Sequence, residues 1–588
     1  MFRCIGQFSG CRIRNSSRSI GLALIAAIAM LDTCSSPALG GPPQRQPADV
    51  FAVVPVTFAT FTASFSTLNE ILKHERWECL DETTCLLLNN LRDLTGIAVK
   101  DNGSDPSGGI VIQYALVPRT NVFLCVWSMS INPESYVQAH QTKWNRFEPD
   151  SDGFIDSTLF SGGTLLQPGR MTSILVFNAG AEGPYDSDAI RRWLSYYDGQ
   201  FKRVASSDAI ELKLMPTAIP KSDRARWMEV INVGLNPSLQ RRDLESPEEY
   251  GFRRGLVELY LGAFRTGLFD VESLTFTFQK AATTNASTIT LQVDAVPGSG
   301  LEQWIQDTGQ MKARLVEAID ESVVADLSAA FSVPEQVAFV MQAGAVLLIS
   351  RAREQGRINQ ASAGQLNAAC QSALSLRRLE LAFRRTEHDS GQIETDVQIP
   401  LTIPAEVQTV LMEYLADCDN PHLLFAAAES EGAVLHEYSG FQQDRFNLTR
   451  WRLLFGADEN AVVFSLAGSG KDHTFTDKPL QQFMQDQIGD ESQAGGSPGL
   501  AGRFRANKVL PGASAAIIPF YTQVFHPSRW NVPGERDIGN VTTQAVGRSF
   551  IVTCSLGEDA FMWSFTTYLT AVRKLEGLQF WFESRRAK

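Results

Sequence analysis

The sequence predicts an α+β protein of repeated β-hairpin-plus-helix units, which form antiparallel sheets with helices packed on one face, plus long connecting helices. Strand-like apolar runs recur along the chain, many of them in pairs separated by a polar turn. A turn rich in Gly, Ser or Pro then joins the second run to a segment with helical spacing of its apolar residues. Hairpins placed side by side and covered by helices give a layered α+β architecture.

One copy of the recurring unit is Thr288–Gly309. Its strand-like run leads into the turn Gly298–Gly300, after which Leu301, Trp304 and Ile305 share one helical face. The same order of strand, turn and helix occurs in five further segments: Asn121–His140, Met171–Tyr197, Glu394–Leu415, Ala461–Gly489 and Ser549–Val572. Six copies are difficult to attribute to chance, so the sequence predicts an internal repeat.

Long helical segments lie between the units. Glu248–Phe269 carries Leu256, Leu259, Tyr260 and Phe264 at helical spacing, which predicts that this stripe is buried. Composition and periodicity place domain boundaries near residues 200 and 416. The predicted organisation is a signal peptide at 1–40, an N-terminal α+β part at 41–200, a middle part with the long helices at 201–415 and a C-terminal part at 416–588, with two units in each of the last three.

The first 40 residues are predicted to be a cleaved signal peptide. Four Arg form a basic start, Ile20–Leu31 is apolar and uncharged, and the stretch ending at Gly40 offers small residues to a signal peptidase. Twelve apolar residues are too few for a stable bilayer span. Lipid attachment at Cys34 is the alternative, although Thr33 before it is larger than the usual Gly, Ala or Ser.

The mature chain is acidic. The formal net charge is −13, and loss of residues 1–40 removes four Arg and one Asp, a net +3, so that −13 becomes −16. Such a chain does not attract nucleic acid or anionic lipid, which argues against nucleic-acid binding. No later stretch is apolar for long enough to cross a bilayer. We expect a soluble exported protein, periplasmic or extracellular, whose partner is an unidentified envelope or extracellular ligand.

Six of the nine Cys remain after signal cleavage, in a compartment where disulfides persist. Cys79 and Cys85 are close enough in sequence for a local disulfide, and Cys370 could pair with Cys418 over a longer loop. Two more lie inside strand-like runs and are expected to be buried free thiols: Cys125 and Cys554. Six Cys allow 15 connectivities, so the pairing stays open at this point.

The stretch AVVFSLAGSGK suggests a phosphate-binding loop, but its spacing does not fit one. A phosphate loop has Gly, four residues, then Gly-Lys-Ser/Thr. Here Ser465 stands at the first Gly position and Asp472 follows Lys471, where the metal-binding hydroxyl belongs. The sequence therefore predicts a turn between strand and helix, with Ser469 as a helix cap like Ser299 in the other Gly-Ser-Gly turn.

The stretch EPDSDGFIDSTL has partial calcium-loop spacing. Glu148, Asp150, Asp152 and Asp156 match ligand positions of such a loop, but Leu159 stands where the bidentate carboxylate is required. A solvated acidic turn is the alternative. Calcium is the one cofactor that the sequence suggests.

Three further stretches carry a resemblance: Pro47–Leu72, Asp93–Gly103 and Val293–Ile305. They resemble the large exported proteins of planctomycete-type bacteria, in which a Pro-Ala-Asp start leads into a strand and Pro-Gly-Ser begins a helix after a strand. The chain departs from that pattern at residue 468, where the Gly-Ser-Gly lacks the preceding Pro. The resemblance implies an α/β exported protein without a known catalytic site, and it transfers no functional residues.

No stretch of the sequence has the spacing of a catalytic motif. Ser299 and Ser469 lie between strand and helix without G-x-S-x-G spacing, and the seven His form no metal-ligand pair. The sequence therefore favours a non-catalytic binding protein or cell-envelope component. The alternative is a secreted hydrolase whose Ser or carboxylates are dispersed in sequence, because sequence distance does not fix the separation of two carboxylates in space.

Overall fold

The structure is a computed structural model. It describes residues 54–67, 108–118, 122–132, 134, 149–157, 162–178, 187–200, 209–280, 286–311, 323–356, 358–375, 377–387, 393–401, 424–430, 433–443, 448–457, 462–470, 499–505 and 538–557. Within these residues the chain forms nineteen strands and six helices of ten or more residues.

The strands are β1 Val56–Ser64, β2 Gly109–Leu116, β3 Val122–Ser130, β4 Phe154–Ser157, β5 Gly162–Gln167, β6 Arg170–Asn178, β7 Ala209–Leu214, β8 Val271–Lys280, β9 Ala286–Ala295, β10 Val323–Ser332, β11 Arg378–Glu387, β12 Ile393–Leu401, β13 Leu424–Ser430, β14 Ala433–Gln443, β15 Leu448–Ala457, β16 Val462–Gly470, β17 Gly499–Arg505, β18 Ile538–Val546 and β19 Ser549–Gly557. The helices are α1 Ser187–Gln200, α2 Lys221–Leu239, α3 Pro247–Phe269, α4 Gly300–Gly309, α5 Glu335–Glu354 and α6 Gln360–Ser375.

The described strands pair into one open sheet in which every pairing is antiparallel. Their spatial order is β4-β5-β6-β3-β2-β1-β7-β8-β9-β19-β18-β17-β10-β11-β12-β16-β15-β14-β13. At about 4.8 Å per strand, the eighteen pairings extend over roughly 85 Å along the sheet. The α+β class is confirmed, with one continuous sheet where the sequence predicted several.

The sheet joins parts of the chain that are far apart in sequence. The pairing of β1 with β7 links the predicted N-terminal and middle parts, and the pairings of β9 with β19 and of β10 with β17 link the middle and C-terminal parts. In four places the chain forms a first strand and then a hairpin that pairs beside it: β1-β2-β3, β7-β8-β9, β10-β11-β12 and β17-β18-β19. The three-part division remains a prediction.

The two faces of the sheet differ in polarity over the central strands β1, β7, β8, β9, β19 and β18. Directly opposed residues of neighbouring strands lie on the same face, and successive residues alternate between faces. One face, the apolar face, carries the row Phe61, Leu212, Phe276, Leu291 and Val552. The other, the polar face, carries the row Thr62, Glu211, Thr277, Thr290, Thr553 and Thr542, which we call the hydroxyl row.

Helices pack on both faces of the described sheet. The side of the sheet that is polar in the central strands carries apolar residues in β3 and β6. Trp193 of α1 packs there in one core with Val126 and Ile174. On the apolar face, α4 crosses β19 and β18, and the rings of Trp304 and Phe550 lie 5.2 Å apart. The prediction that helices cover one face alone is therefore wrong, because the polarity of each face changes along the sheet.

The long helices pack mainly against one another. α3 begins with a capping box formed by Ser246 and Glu249, as a buried or half-buried helix start requires. Because Gly255 of α3 has no side chain, Phe339 of α5 packs closely against it. Glu249 of α3 forms an ion pair with Arg351 of α5, with 2.6 Å between Oε1 and Nη2. The predicted buried stripe is not formed: Tyr260 is exposed, and Leu256, Leu259 and Phe264 are half-buried. The stripe stays partly exposed because α3 contacts mainly α2 and α5, and these two helices cover it only in part.

The two Gly-Ser-Gly sequences have different structures. Ser299 caps α4, since its Oγ accepts a hydrogen bond from the Glu302 amide at 3.2 Å. Strand β16 continues through Ser469 to Gly470 and pairs with β15, so the predicted turn and helix cap at Ser469 are wrong. Lys471 lies outside the described residues. In the described part of the chain, no helix has both the length and the apolar character needed to cross a bilayer.

The loop between α2 and α3 is held by a forked ion pair. Arg253 donates from Nε and Nη2 to the two carboxylate oxygens of Glu245, each at 2.7 Å, and also to the carbonyls of Ser238 and Gln240. The hydrogen bond from Arg253 is the main cause that lowers the pKa of Glu245 to about 2. This loop therefore depends on an ionised Glu245.

Glu245→Gln is expected to lower the thermal midpoint at pH 7. Because the folded pKa of Glu245 lies below its unfolded value of about 4.3, its contribution is present above that value and is lost as the pH falls towards 2. The difference in midpoint between wild type and variant should shrink over this range. Glu258→Gln, which removes the exposed partner of Arg254, is the control and should have little effect at any pH. A constant difference down to pH 2 would contradict this account.

Candidate functional site

A polar cleft of about 650 Å³ lies where β7 ends, β8 begins, β9 ends and β19 begins. Two cationic and two anionic side chains face it, so its charges balance. The cleft is lined by Lys213, Met215, Thr217, Ala218, Glu272, Ser273, Asp294, Arg548 and Ser549. Asp294 of β9 and Ser549 of β19 oppose each other on the polar face, so the cleft lies at one end of that face.

Asp294 is the centre of a hydrogen-bond network in the cleft. Its carboxylate accepts hydrogen bonds from the hydroxyls of Ser273 at 2.5 Å and Ser549 at 2.6 Å, and from the side-chain amide of Gln292 at 2.8 Å. Burial raises the pKa of Asp294, but these three hydrogen bonds and the charge of Lys213 outweigh it, and the net pKa is lowered. A general base works best with a pKa near the operating pH, so Asp294 is poorly suited to that role.

Arg548 connects three strands at the edge of the cleft. It follows Gly547, whose φ of +60° suits the two-residue turn between β18 and β19. Its Nη1 donates to the Glu272 carboxylate at 2.9 Å and to the Ala295 carbonyl at 3.0 Å. Thr217 donates to the Glu272 carbonyl at 3.1 Å. These contacts fasten the β18–β19 turn to β8 and β9.

Asp294→Asn is expected to destabilise the protein by on the order of 1 kcal/mol at pH 7, because hydrogen bonds to a charged acceptor are replaced by weaker ones. The folded pKa of Asp294 is depressed, so the difference should be present at neutral pH and disappear as the pH falls through that pKa. Urea unfolding between pH 7 and pH 3 measures it. Asp307→Asn is the matched control, because the half-buried Asp307 accepts one side-chain hydrogen bond, from Gln303, on the surface of α4. Equal losses in both variants would contradict the network.

The calcium hypothesis involves a turn whose first carboxylate already has partners. Asp150 Oδ1 accepts from the amides of Asp152 and Phe154, both at 2.9 Å, and Oδ2 accepts from Arg191 at 2.6 Å. The hydrogen bond from the Phe154 amide is the main cause that lowers the pKa of Asp150, followed by that from Arg191. A cation at Asp150 would have to displace Arg191, whose guanidinium also stacks 3.9 Å from the Phe154 ring centroid.

The other calcium candidates are placed as follows. Glu148 lies outside the described residues, and Asp156 lies in β4 opposite Gly163. In the parts of the chain that the structure describes, no three His, Cys, Asp or Glu side chains group as metal ligands would. The calcium site stays a prediction, and the described turn is held by the ion pair between Asp150 and Arg191.

The described cysteines are free thiols. Cys125, Cys370 and Cys554 are half-buried and form no disulfide with one another, and Cys418, the predicted partner of Cys370, lies outside the described residues. Burial raises the pKa of Cys125 and of Cys554 to about 11, which makes both weak nucleophiles at neutral pH. The predicted pair Cys79 and Cys85 lies outside the described residues.

The hydroxyl row runs across the strands, and its member Thr290 lies four residues before Asp294 of the cleft along β9. Beside the row on the same face runs a second row with Thr60, Lys213, Thr275 and Gln292, and Asp294 follows one step further along β9. The row threonines are half-exposed. Sequence reasoning missed this surface, although a Thr-x-Thr pattern in β1, β8 and β9 was available as its signal.

No protein-family model matches this chain, and no curated protein matches it. Among solved structures, the chain is similar to TP0453 in crystal form III, with 9% identical residues, covering 47% of this chain and 92% of that chain. The TM-score is 0.20, which is too low to support any argument about fold or function.

Proposed function

We propose that this chain is an exported, non-catalytic binding protein of the bacterial cell envelope, and that its hydroxyl row binds an extended polysaccharide. The observation that carries the proposal is the row itself, with five half-exposed threonines aligned across six neighbouring strands. Export is proposed from the basic and apolar N-terminal sequence.

The geometry of the row suits a periodic partner. Five strand spacings of about 4.8 Å give a length of roughly 25 Å from Thr62 to Thr542. Each Thr hydroxyl both donates and accepts, as sugar hydroxyls do. Threonine is also favoured on any solvated strand face. The length of the regular row, and the polar cleft near it on the same face, are what favour a polymer ligand.

We also propose that the four strand-plus-hairpin segments are copies of one unit. This revises the hairpin-plus-helix unit, since a first strand belongs to each copy. Copies β1-β2-β3 and β7-β8-β9 meet through their first strands, copies β7-β8-β9 and β17-β18-β19 meet through their last strands, and β17 meets β10. Contacts through first strands and contacts through last strands thus alternate along the sheet. This alternation extends the sheet without closing it, which produces the long surface that a large partner requires.

The cleft chemistry supports binding over catalysis. Asp294 is held ionised by three hydrogen bonds, and Arg548 is committed to Glu272 and a backbone carbonyl. A secreted hydrolase with dispersed active-site residues is the competing function, and it would use a displaced pKa nearer neutrality in such a cleft.

The double variant Thr277→Val, Thr290→Val tests the proposal. Valine keeps the shape and strand preference of threonine but removes two hydroxyls from the centre of the row. Binding to insoluble polysaccharides, with peptidoglycan sacculi, chitin and cellulose as probes, should weaken roughly tenfold or more. Thr266→Val in α3 makes the same change away from the sheet and should bind as wild type does. Unchanged binding by the double variant would overturn the assignment to this row.

A further inference from the structure

We propose that Glu211 and Lys213 of β7 select the ligand of the hydroxyl row, by binding two adjacent free hydroxyls of one sugar unit. The ligand is then a polysaccharide whose sugars keep neighbouring unsubstituted hydroxyls, such as the glucan chain of cellulose. This inference rests on the proposed function, because it concerns the same row, but it can fail while the polysaccharide proposal stands.

Glu211 interrupts a row that otherwise consists of threonines. It opposes Thr62 of β1 on one side and Thr277 of β8 on the other. Its side chain is exposed, whereas the row threonines are half-exposed. In the part of the chain that the structure describes, the Glu211 carboxylate takes part in no hydrogen bond or ion pair. A group that only accepts hydrogen bonds thus stands in line with hydroxyls that both donate and accept.

Lys213 repeats this arrangement one step along the same strand. It opposes Thr60 of β1 and Thr275 of β8, and it also lines the cleft. Two residues of strand place its Cα roughly 6.6 Å from that of Glu211. Its ammonium group donates hydrogen bonds and accepts none. One acceptor and one donor therefore lie side by side on β7, each with a threonine on either side.

The usual structural roles of charged residues in a sheet do not explain this pair. Charges on an edge strand prevent unwanted pairing with other chains, but β7 is a central strand that pairs with both β1 and β8. Opposite charges that face each other across two strands stabilise a sheet, but Glu211 and Lys213 both face threonines. The pair therefore points outward, to a ligand on the polar face.

Two adjacent sugar hydroxyls have the complementary chemistry. Both can donate to the two oxygens of one carboxylate, in the bidentate manner of Arg–carboxylate pairs, while their own oxygens accept from Lys213. Hydrogen bonds to a charged group are stronger than those between neutral groups. A sugar with ether oxygens in place of hydroxyls still accepts but no longer donates. Glu211 rejects such a sugar, whereas a threonine in its place would tolerate it, because a hydroxyl can donate instead.

Calorimetric titration of the mature protein with cellohexaose and with its fully O-methylated form tests the selection. Wild type should bind cellohexaose roughly tenfold or more tightly than the methylated form. Glu211→Thr completes the threonine row and keeps a strand-forming residue, so it should fold normally and lose most of that preference. Lys213→Thr removes a donor that serves both ligands, so it should weaken both alike and leave their ratio unchanged.

Glu258→Gln removes an exposed carboxylate from α3 and is the control, which should bind both ligands as wild type does. An equal preference in wild type and Glu211→Thr would overturn the inference. Binding to chitin or sacculi but not to cellulose would also overturn it, because their sugars carry an amide in place of one of the two hydroxyls. The polysaccharide proposal would survive both results. No binding to any of the three polymers would refute the proposed function itself.

Discussion

Trp193→Ala is expected to lower the free energy of unfolding by about 3–5 kcal/mol. Trp193 is 3% exposed. It fills the space between α1 and strands β3 and β6, in one core with Val126, Ile174 and Leu194. Truncation removes most of a large buried side chain and leaves a cavity, because the strands beneath it are fixed by their own hydrogen bonds. Urea unfolding, followed by circular dichroism, measures the loss.

Tyr196→Ala is the matched control on the same helix. Tyr196 is 38% exposed, so its truncation removes an aromatic ring of similar size from a half-solvated position. We expect a loss of about 1 kcal/mol or less for this variant. If Trp193→Ala cost no more than Tyr196→Ala, α1 would not be packed on the sheet as described.

Gly153→Ala is expected to destabilise the protein by about 3 kcal/mol. Gly153 has a φ of +79°, which other residues adopt only with strain, and an added Cβ would collide with the carbonyl oxygen of Leu166. The Leu166 amide also donates to the Gly153 carbonyl at 2.9 Å, so the two backbones cannot separate without losing that bond. Thermal and urea unfolding measure the effect.

Gly169→Ala separates backbone strain from collision. Gly169 has a φ of +77°, but nothing lies within 4 Å of its added Cβ. This variant should therefore show the strain alone, about 1 kcal/mol. Equal losses for the two variants would show that the close approach of Gly153 to Leu166 is not present in solution.

The sequence predicts local structure well where period and turn chemistry agree. The run before Gly298, the cap at Ser299 and the apolar side of α4 were all predicted, because hairpins and caps depend on neighbouring residues. The same tripeptide at 468–470 led to the wrong prediction of a turn and a helix cap, since Gly and Ser also fit within a strand when a partner strand such as β15 is present. Tertiary pairing overrides local preference there.

The long-range arrangement could not be predicted from periodicity. Alternation in β9 shows which residues share a face, but it does not say that β19, more than 250 residues later, is the partner strand. The cleft depends on that pairing, because Asp294 meets Ser549 and Arg548 only through it. The candidate site was therefore hidden from sequence reasoning, whereas the calcium candidates were local and easily noticed.

We propose that the polar face binds an extended polysaccharide without changing it. Co-sedimentation of the purified mature protein with sacculi, chitin and cellulose, with the supernatant assayed for released sugar, tests it most directly. We expect saturable binding to at least one of these polymers, weakened by Thr277→Val with Thr290→Val, and no release of sugar over hours. Binding that is indifferent to those two hydroxyls, or steady release of sugar by the wild-type protein, would contradict it.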